Sequence, residues 1–438
     1  MTVLEVRLPH ARLIVVVAAA AFAVAVLWLT RSYTFYFDEW SFILNAPDWD
    51  ASSYLTPHNG HPTMLPRLIY ATLLATFGLR TYVPYMAVLL ALHATSAVLI
   101  FELVRRRAGD LIAAACAAML LVLGAGWENV LWAFQMSFVG SVACGLGMLV
   151  TLEGRPARWR MPLATALLAA SVMFSGIGLF FGVAAGVRLA TTRERHTELW
   201  WLAPVAVAFA AWFLAYDRAE SVSPTPNLLQ LPLYTAWGLG AGAAGLIGVG
   251  GWVGLPILAV AAGAVGYAWW REGFDPLALG VALGLLSFYV VTGLARGQIG
   301  YEQSGAGRYV YVGAVFWLVL LAGAAQNLPW RGTWRPAIVA LVFLACFNSG
   351  ALLFEFGAAK AAQMQRQVAD LQALAAERNN RCLNPNAVVD QLVMPQVTSP
   401  AAYYRSVDRF GDPVASRPIV DQTDFERAQA NLLRPACG

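Results

Sequence analysis

Long apolar runs recur along the first 354 residues of this chain, and short segments between them carry most of the charge. The first run, residues 13–29, contains no polar side chain. About 20 apolar residues are enough to cross the hydrocarbon core of a bilayer as a helix. The pattern therefore predicts membrane-spanning helices at 13–30, 82–104, 110–126, 134–152, 161–175, 177–190, 199–215, 251–270, 275–294, 309–326 and 336–354.

Arginine residues mark every second connection between these runs. Clusters occur at Arg105–Arg107, Arg155–Arg160, Arg193–Arg195, Arg271 and Arg331–Arg335. Because cytoplasmic loops carry an excess of Lys and Arg, a cytoplasmic N-terminus would place all of these clusters inside. A span at 64–78 would move several of them outside. We therefore expect 64–78 to be an interfacial helix and 233–249 to be interfacial or re-entrant.

The prediction is an all-α, polytopic transmembrane bundle of about eleven spans, with interfacial helices in the first outer loop. No small-x-small cleavage site follows the first run, so we expect it to be retained as a span. The loop 31–81 and the tail 355–438 then lie outside the cytoplasmic membrane. We expect residues 1–354 to form the membrane bundle and residues 355–438 to form an extracytoplasmic tail.

Composition narrows the class of protein further. The chain is 59% hydrophobic and 12% charged, whereas soluble domains carry roughly 25% charged residues. This composition excludes an ordinary soluble protein, and we expect the chain to be surrounded by membrane lipid. The net charge of +4 is small and its arginines lie at helix ends, so we expect no nucleic-acid partner.

The five cysteines divide into two groups. Cys116, Cys144 and Cys346 lie in apolar runs and are typical of small core residues. Cys382 and Cys437 belong to the tail, on the oxidising side of the predicted topology, and we expect them to form a disulfide.

The candidate chemistry begins with Asp38 and Glu39, two adjacent carboxylates where the first span meets water. The predicted topology places further polar groups on the same side, namely His58, His61, Arg67, Glu128, Gln135, Arg308 and Tyr309. A carboxylate can take a proton from an acceptor hydroxyl, and a cationic group can hold a phosphate. Because the single lysine, Lys360, falls in the tail, we expect Arg, His or Tyr to hold such a phosphate.

The order of these features resembles the GT-C superfamily of integral-membrane glycosyltransferases. A first span is followed by the acidic pair, a segment His61-Pro62-Thr63-Met64-Leu65-Pro66, an interfacial helix ending Phe77-Gly78, and a second span ending in Arg105-Arg106-Arg107. That superfamily includes protein O-mannosyltransferases, the lipid A aminoarabinose transferase and mycobacterial mannosyl- and arabinosyltransferases. The resemblance covers about residues 10–155, and Arg308-Tyr309 before a late span is also similar.

The resemblance implies an inverting transfer of a monosaccharide from a polyprenyl-phosphate donor to a glycan, lipid or protein acceptor. The family's first-loop base corresponds to Asp38, with Glu39 as its neighbour. Arg308 and one of the two histidines would bind the phosphate. Glu128 stands where relatives often have a second Asp, so the resemblance does not assign the residues that bind the acceptor. No cofactor is clearly implied.

Simpler roles remain open for several of these residues. Asp38 could cap a helix starting at Glu39. His58 and His61 could hold the loop together or, with Asp38, bind a divalent metal. Glu128 and Arg308 could be interfacial anchors, and Arg67 could tie down the interfacial helix.

Three other functions also remain open. A transporter or flippase of lipid-linked saccharides would place ionisable groups near the membrane midplane and contain inverted repeats. A polysaccharide polymerase or ligase would carry its large outer loop late in the chain. A membrane scaffold would bind a partner through the tail, but it would leave the acids and imidazoles unexplained.

Overall fold

The computed structural model describes residues 2, 4, 8–217, 228–415, 417–419 and 421–434. The protein is 75% helical, and no β-strand occurs in the described ranges, which confirms the all-α prediction. The described residues form sixteen α-helices. These are α1 (Ala11–Leu29), α2 (Glu39–Asn45), α3 (Met64–Thr76), α4 (Val83–Leu121), α5 (Glu128–Leu131), α6 (Met136–Leu152), α7 (Arg160–Phe174), α8 (Gly178–Ala190), α9 (Ala203–Trp212), α10 (Leu231–Gly245), α11 (Gly254–Glu272), α12 (Pro276–Arg296), α13 (Gly307–Ala325), α14 (Trp334–Glu377), α15 (Pro400–Phe410) and α16 (Gln422–Leu432).

Eight helical segments in the described part of the chain are long and apolar enough to cross a membrane. They are Ala11–Leu29, Val83–Leu121, Ala133–Leu152, His196–Asp217, Gly251–Glu272, Pro276–Ile299, Gly307–Ala325 and Trp334–Glu377. These are the helices of a membrane-embedded protein. The predicted count of eleven is not confirmed, because 161–175 and 177–190 form the shorter helices α7 and α8, and most of 82–104 and 110–126 belongs to the single helix α4, which ends at Leu121.

Helix α4 contains a break where the sequence predicts a loop. Gly109 has φ 80° and ψ 175°, so its backbone is not helical and the 39-residue helix consists of two halves. A positive φ of this kind favours glycine. The break directly follows the arginine cluster, and Arg105 pairs there with Asp110 at 3.2 Å. The two predicted spans are therefore separated by a kink rather than by an open loop.

The charged connections meet at one end of the bundle, which we call the arginine end. Ion pairs there join Arg12 to Glu102, Arg105 to Asp110, Arg107 to Asp275, Arg188 to Glu153 and Arg195 to Glu198. The opposite end carries the loop 31–81 and is called the loop end. The arginine clusters from 105 to 195 thus lie together, as the sequence predicts.

Helices α3 and α10 differ from the spans around them. At about 1.5 Å per residue, the 13-residue α3 is roughly 20 Å long, less than the ~30 Å hydrocarbon core. The start of α10 packs beside Gly293, near the end of α12, and Gly245 at its end packs against Val310, near the start of α13. Both of these neighbours lie at the loop end, so α10 runs along that end.

The tail covers the first loop. Helix α14 crosses the predicted boundary at 354/355 without interruption and continues to Glu377. The backbone N–H of Leu79 donates to the carbonyl of Phe410 at 2.9 Å, and the Ser406 hydroxyl donates to the carbonyl of Ile43 at 3.2 Å. The tail is therefore packed on the loop that carries the acidic pair.

Charge pairs and a disulfide hold the tail together. Arg427 binds both Asp370 and Asp390 at 2.8 Å. Cys382 is disulfide-bonded, and its carbonyl accepts from the backbone N–H of Arg434 at 2.9 Å. Cys437, its predicted partner, lies outside the described residues. Cys116, Cys144 and Cys346 are free.

Candidate functional site

A cavity of about 260 Å³ lies at the loop end, between the first loop, the α4–α6 connection, the start of α13 and helix α14. Seven of the predicted site residues line it: Asp38, His58, His61, Glu128, Gln135, Arg308 and Tyr309. Segments far apart in sequence thus bring these side chains together. Glu39 and Arg67 are not in its wall.

The backbone before Asp38 directs its carboxylate into the cavity. Phe37 has φ 49°, a left-handed conformation that is uncommon for a residue other than glycine. Its N–H donates to the carbonyl of Val393 at 3.3 Å, so the tail holds this turn. Asp38 occupies the N-cap position of α2, but its side chain makes no capping hydrogen bond. The capping interpretation is therefore wrong, and the carboxylate is left for other contacts.

The surroundings of Asp38 raise its pKa above the usual value. Burial is the largest cause, because it disfavours the charged carboxylate. The positive charges of Arg308 and Arg296 and a hydrogen bond from Gln396 act in the opposite direction. In that bond the Gln396 Nε2 donates to Asp38 Oδ1 at 3.1 Å. A carboxylate whose pKa lies closer to neutral is better matched to accept a proton at neutral pH.

Glu39 points away from the cavity into a cage of tyrosines. Its carboxylate is fully buried and accepts hydrogen bonds from the hydroxyls of Tyr70 at 2.6 Å and Tyr82 at 2.9 Å. The backbone N–H of Tyr36 adds a third bond at 2.8 Å. Burial raises the Glu39 pKa to about 7. Glu39 therefore ties the first loop to α3 and to the start of α4, and this fixes its neighbour Asp38.

A tight turn brings the two histidines to the cavity wall. Asn59 and Gly60 have φ 53° and φ 74°, the positive values of a type I′ turn, which favours the Asn-Gly sequence. The backbones of His58 and His61 exchange hydrogen bonds of 3.0 and 3.1 Å across it. Arg296 donates to the carbonyl of Asn59 at 2.7 Å, so the end of α12 holds the turn.

Both imidazoles are neutral at pH 7. Burial lowers the pKa of His58 and of His61 to about 4, and nearby arginines contribute to both shifts. A neutral imidazole can donate and accept one hydrogen bond each. As for metal binding, the described residues contain no group of three or more His, Cys, Asp or Glu side chains that could hold an ion.

Three basic side chains line the cavity. Arg308 pairs with Glu128 at 2.9 Å, and Arg296 holds the histidine turn. The third is Lys360 on α14, which is only 2% exposed. Its Nζ lies 3.0 Å from the ring centroid of Tyr36 and 5.4 Å from that of Trp132. The sequence analysis left Lys360 out of the site because it falls in the tail, but α14 continues far enough to bring it to the cavity.

Arg67 has a structural position outside the cavity. Its guanidinium donates to the carbonyls of Ser53 and Pro57 and lies 5.4 Å from the ring centroid of Phe42. These contacts tie α3 to the first loop, which agrees with the anchoring role that the sequence left open.

Several buried polar atoms in the cavity wall lack a hydrogen-bond partner within the described part of the protein. They include Gln135 Oε1, His58 Nε2, Thr63 Oγ1 and Trp132 Nε1. Buried polar groups are normally paired. Donors and acceptors with unused capacity, grouped around a carboxylate, suit a ligand rich in hydroxyl or phosphate oxygens.

Comparison with known proteins gives no relative from which a role could be transferred. Neither family models, nor curated proteins, nor solved structures contain a match to this chain.

Sequence reasoning missed three contributors to the site. Gln396 contacts Asp38 from the irregular part of the tail, where no periodic pattern points to a function. Ser175 lies in the turn between α7 and α8 and reaches the cavity wall. Lys360 had a usable signal, since a lone lysine in an arginine-rich chain stands on a helix-like stretch directly after a span.

Proposed function

We propose that this chain is a membrane glycosyltransferase that moves a monosaccharide from a polyprenyl-phosphate donor to an acceptor hydroxyl, in the manner of the GT-C superfamily it resembles. The observation that supports this most strongly is the charge arrangement of the cavity. Asp38 forms no ion pair within the described residues, while Arg296, Arg308 and Lys360 line the same space.

That arrangement fits a phosphate leaving group better than an alcohol. Glycoside hydrolases place two carboxyl groups on either side of the bond, one of them as an acid that protonates the leaving oxygen. A phosphate leaves as a stable anion and needs positive charge instead. Here Glu128 is already paired with Arg308 at 2.9 Å. Asp38 is then the base, and the cations bind the leaving group.

The proposed reaction is a single displacement. Asp38 takes the proton from the acceptor hydroxyl, and the acceptor oxygen forms a bond to the anomeric carbon. The bond from that carbon to the phosphate oxygen breaks, and its electron pair leaves with the polyprenyl phosphate. Arg296, Arg308 and Lys360 stabilise the charge on the phosphate. Attack opposite the leaving group inverts the anomeric centre.

The same proposal includes an orientation in the cytoplasmic membrane. The arginine end would face the cytoplasm, because positive loops are retained there. The loop end, with the cavity and the tail, would then face outwards, where lipid-linked monosaccharides serve as donors. A disulfide at Cys382 is compatible with that oxidising side.

The test is donor consumption by membranes that contain wild-type protein, Asp38→Asn or the control Asp408→Asn. Asp408 is an exposed tail carboxylate paired with Arg378, so the control makes the same chemical change away from the cavity. With a panel of radiolabelled polyprenyl-phosphate sugars, we expect a loss of about 100-fold to 10,000-fold in Asp38→Asn and wild-type turnover in the control.

Near-wild-type turnover in Asp38→Asn would refute its role as the base. Transfer of a lipid-linked saccharide across the bilayer without donor consumption would favour the flippase alternative. Extension of a lipid-linked chain by whole repeat units would favour the polymerase alternative.

A further inference from the structure

A second pocket lies beside the cavity, on the outer face of the first loop. Its volume is about 310 Å³, and it is formed by α2, the segment that follows it and the histidine turn. His58 lines both spaces. Its ring packs edge-on against Phe42 at 5.2 Å and Phe134 at 5.3 Å. The two pockets are therefore neighbours that share one imidazole as a wall.

Helix α2 connects the proposed base with this pocket. Ser41 and Asn45 follow Asp38 at three and seven positions, so all three residues lie on one face of the helix. Seven residues correspond to about 10 Å along the helix axis. A ligand that extends from Asp38 to Asn45 is therefore longer than a single sugar ring.

The polar groups of the second pocket are mainly neutral hydroxyls and amides. Ser41, Asn45, Ser53 and Thr56 contribute to its wall. The Asn45 Nδ2 donates to the carbonyl of Ser41 at 2.7 Å, which directs its amide oxygen to other donors. Such groups suit a neutral ligand with many hydroxyls.

The two charged residues of the wall have partners elsewhere in the protein. Asp48 is 3.4 Å from Arg405 of the tail. The Arg67 guanidinium donates to backbone carbonyls of the first loop. Both charged groups thus make contacts within the protein, which leaves mainly hydroxyls and amides as the other polar groups of the wall.

Trp49 adds an aromatic surface. Its ring is half-buried and is held in place by Phe42 at 5.8 Å and Tyr54 at 6.0 Å. An indole ring offers a large rigid face at low conformational cost. The C–H faces of sugar rings pack against such surfaces while their hydroxyls bond to neighbouring amides and hydroxyls.

We propose that the second pocket binds a saccharide acceptor of at least two sugar units. The reacting sugar lies at Asp38, and the preceding sugar packs on Trp49 and bonds to Asn45 and Ser41. The His58 Nε2, which is buried without a partner within the described residues, lies at the junction where it can bond to a hydroxyl of either unit. The acceptor role depends on the proposed transferase function, whereas the saccharide class depends on the pocket alone.

The experiment measures binding of free saccharides to the full-length protein in detergent by saturation-transfer NMR titration. The probes are mono-, di- and tetrasaccharides of glucose, galactose, mannose and arabinose. The variants are Trp49→Ala, Trp49→Phe and Asn45→Ala. Trp200→Ala serves as the control, because Trp200 is 80% exposed and lies near the arginine end. Thermal unfolding of each variant verifies that it is folded.

We expect one sugar series to bind, with the di- and tetrasaccharides tighter than the monosaccharide. Trp49→Ala and Asn45→Ala should each weaken binding about tenfold or more, as expected for loss of an anchoring contact, while Trp49→Phe and Trp200→Ala retain it. Saccharide binding that is absent, or equal in wild type and both alanine variants, would overturn the proposal.

A parallel donor assay separates this inference from the transferase proposal. Donor transfer to water by wild type, with no saccharide bound, would refute the acceptor pocket and leave the transferase proposal intact. Saccharide binding that needs Trp49 and Asn45, without any donor consumption, would support the ligand class of the pocket and refute the transferase. Asp38→Asn should lose donor turnover and keep saccharide binding.

Discussion

The contact between the tail and the proposed base gives the sharpest prediction. Gln396 Nε2 donates to Asp38 Oδ1 at 3.1 Å, and this bond favours the ionised carboxylate. In Gln396→Leu the donor is lost, so the Asp38 pKa rises and the protonated, inactive form persists to higher pH. Activity should therefore fall on the acidic side of the pH profile and stay unchanged on the plateau.

The size of the effect follows from the energy of the bond. A hydrogen bond to a charged group contributes about 1.5–3 kcal/mol. The 3.1 Å length and the half-buried position of Asp38 favour the lower end of that range. About 1.4 kcal/mol corresponds to one pKa unit, which is a factor of ten in the ionised fraction. At pH values where Asp38 is mostly protonated, kcat/KM should therefore fall about tenfold. Gln396→Glu should fall further, because a second carboxylate beside Asp38 opposes its ionisation.

The assay is donor consumption from pH 4 to 9 with the purified full chain. The control is Gln372→Leu, because Gln372 donates to the carbonyls of Arg417 and Pro418 and stabilises the tail without touching Asp38. Both variants lose a tail contact, but only Gln396→Leu should move the acid limb. An unchanged limb in Gln396→Leu, or the same change in Gln372→Leu, would refute the link between Gln396 and the ionisation of Asp38.

Three further predictions concern the rest of the site and its support. Lys360→Met removes a basic side chain that can bind the donor phosphate in the cavity and should raise the donor KM about tenfold, with recovery in Lys360→Arg, as measured by initial rates. The Glu39 pKa of about 7 lies above its unfolded value, so its stabilisation is full below about pH 4.5 and is lost as pH rises through 7. Glu39→Gln should remove this part of the pH dependence of the thermal midpoint, and an unchanged slope would contradict the effect of burial on the Glu39 carboxyl. Gly78→Ala places a Cβ 2.1 Å from the carbonyl oxygen of Phe410 at φ +63° and should cost about 2 kcal/mol of stability or more, measured by denaturation. Gly332→Ala, at φ +54° in open space, should cost less, and equal losses would rule out the clash.

Hydrophobic pattern and arginine placement were sufficient to predict most of the helices and the grouping of polar residues at one end. Asp38 in the first loop and Arg308 before α13 come from different connections, yet they line one cavity, because alternation of membrane crossings determines which connections share an end. One local feature that the sequence analysis did not use could also have been predicted from a short motif. This feature is the Asn59-Gly60 turn, since both residues adopt the positive φ that this dipeptide favours.

Other features depend on tertiary packing that no local pattern encodes. Asp38 and Glu39 are adjacent and chemically similar, yet one faces the cavity and the other is bound by Tyr70 and Tyr82. Successive residues of a helix point about 100° apart, so the packing of α2 decides which of the two faces the cavity. The approach of Gln396 to Asp38 depends in turn on the docking of an irregular segment, which has no periodicity to read.

Because helix α14 is unbroken, the arrangement of the site depends on the number of residues in this helix as well as on their identity. Its 44 residues extend about 66 Å, more than twice the ~30 Å core of a bilayer. Since each residue turns the helix by about 100°, one residue inserted between 346 and 356 would rotate Lys360 out of the cavity and swing the tail around the bundle. An insertion of seven residues would nearly restore the angle but lift the tail by about 10 Å. The position of the tail relative to the membrane bundle is therefore set by the number of residues in this helix. An insertion or deletion in α14 is tolerated only if the contacts between the tail and the bundle change with it.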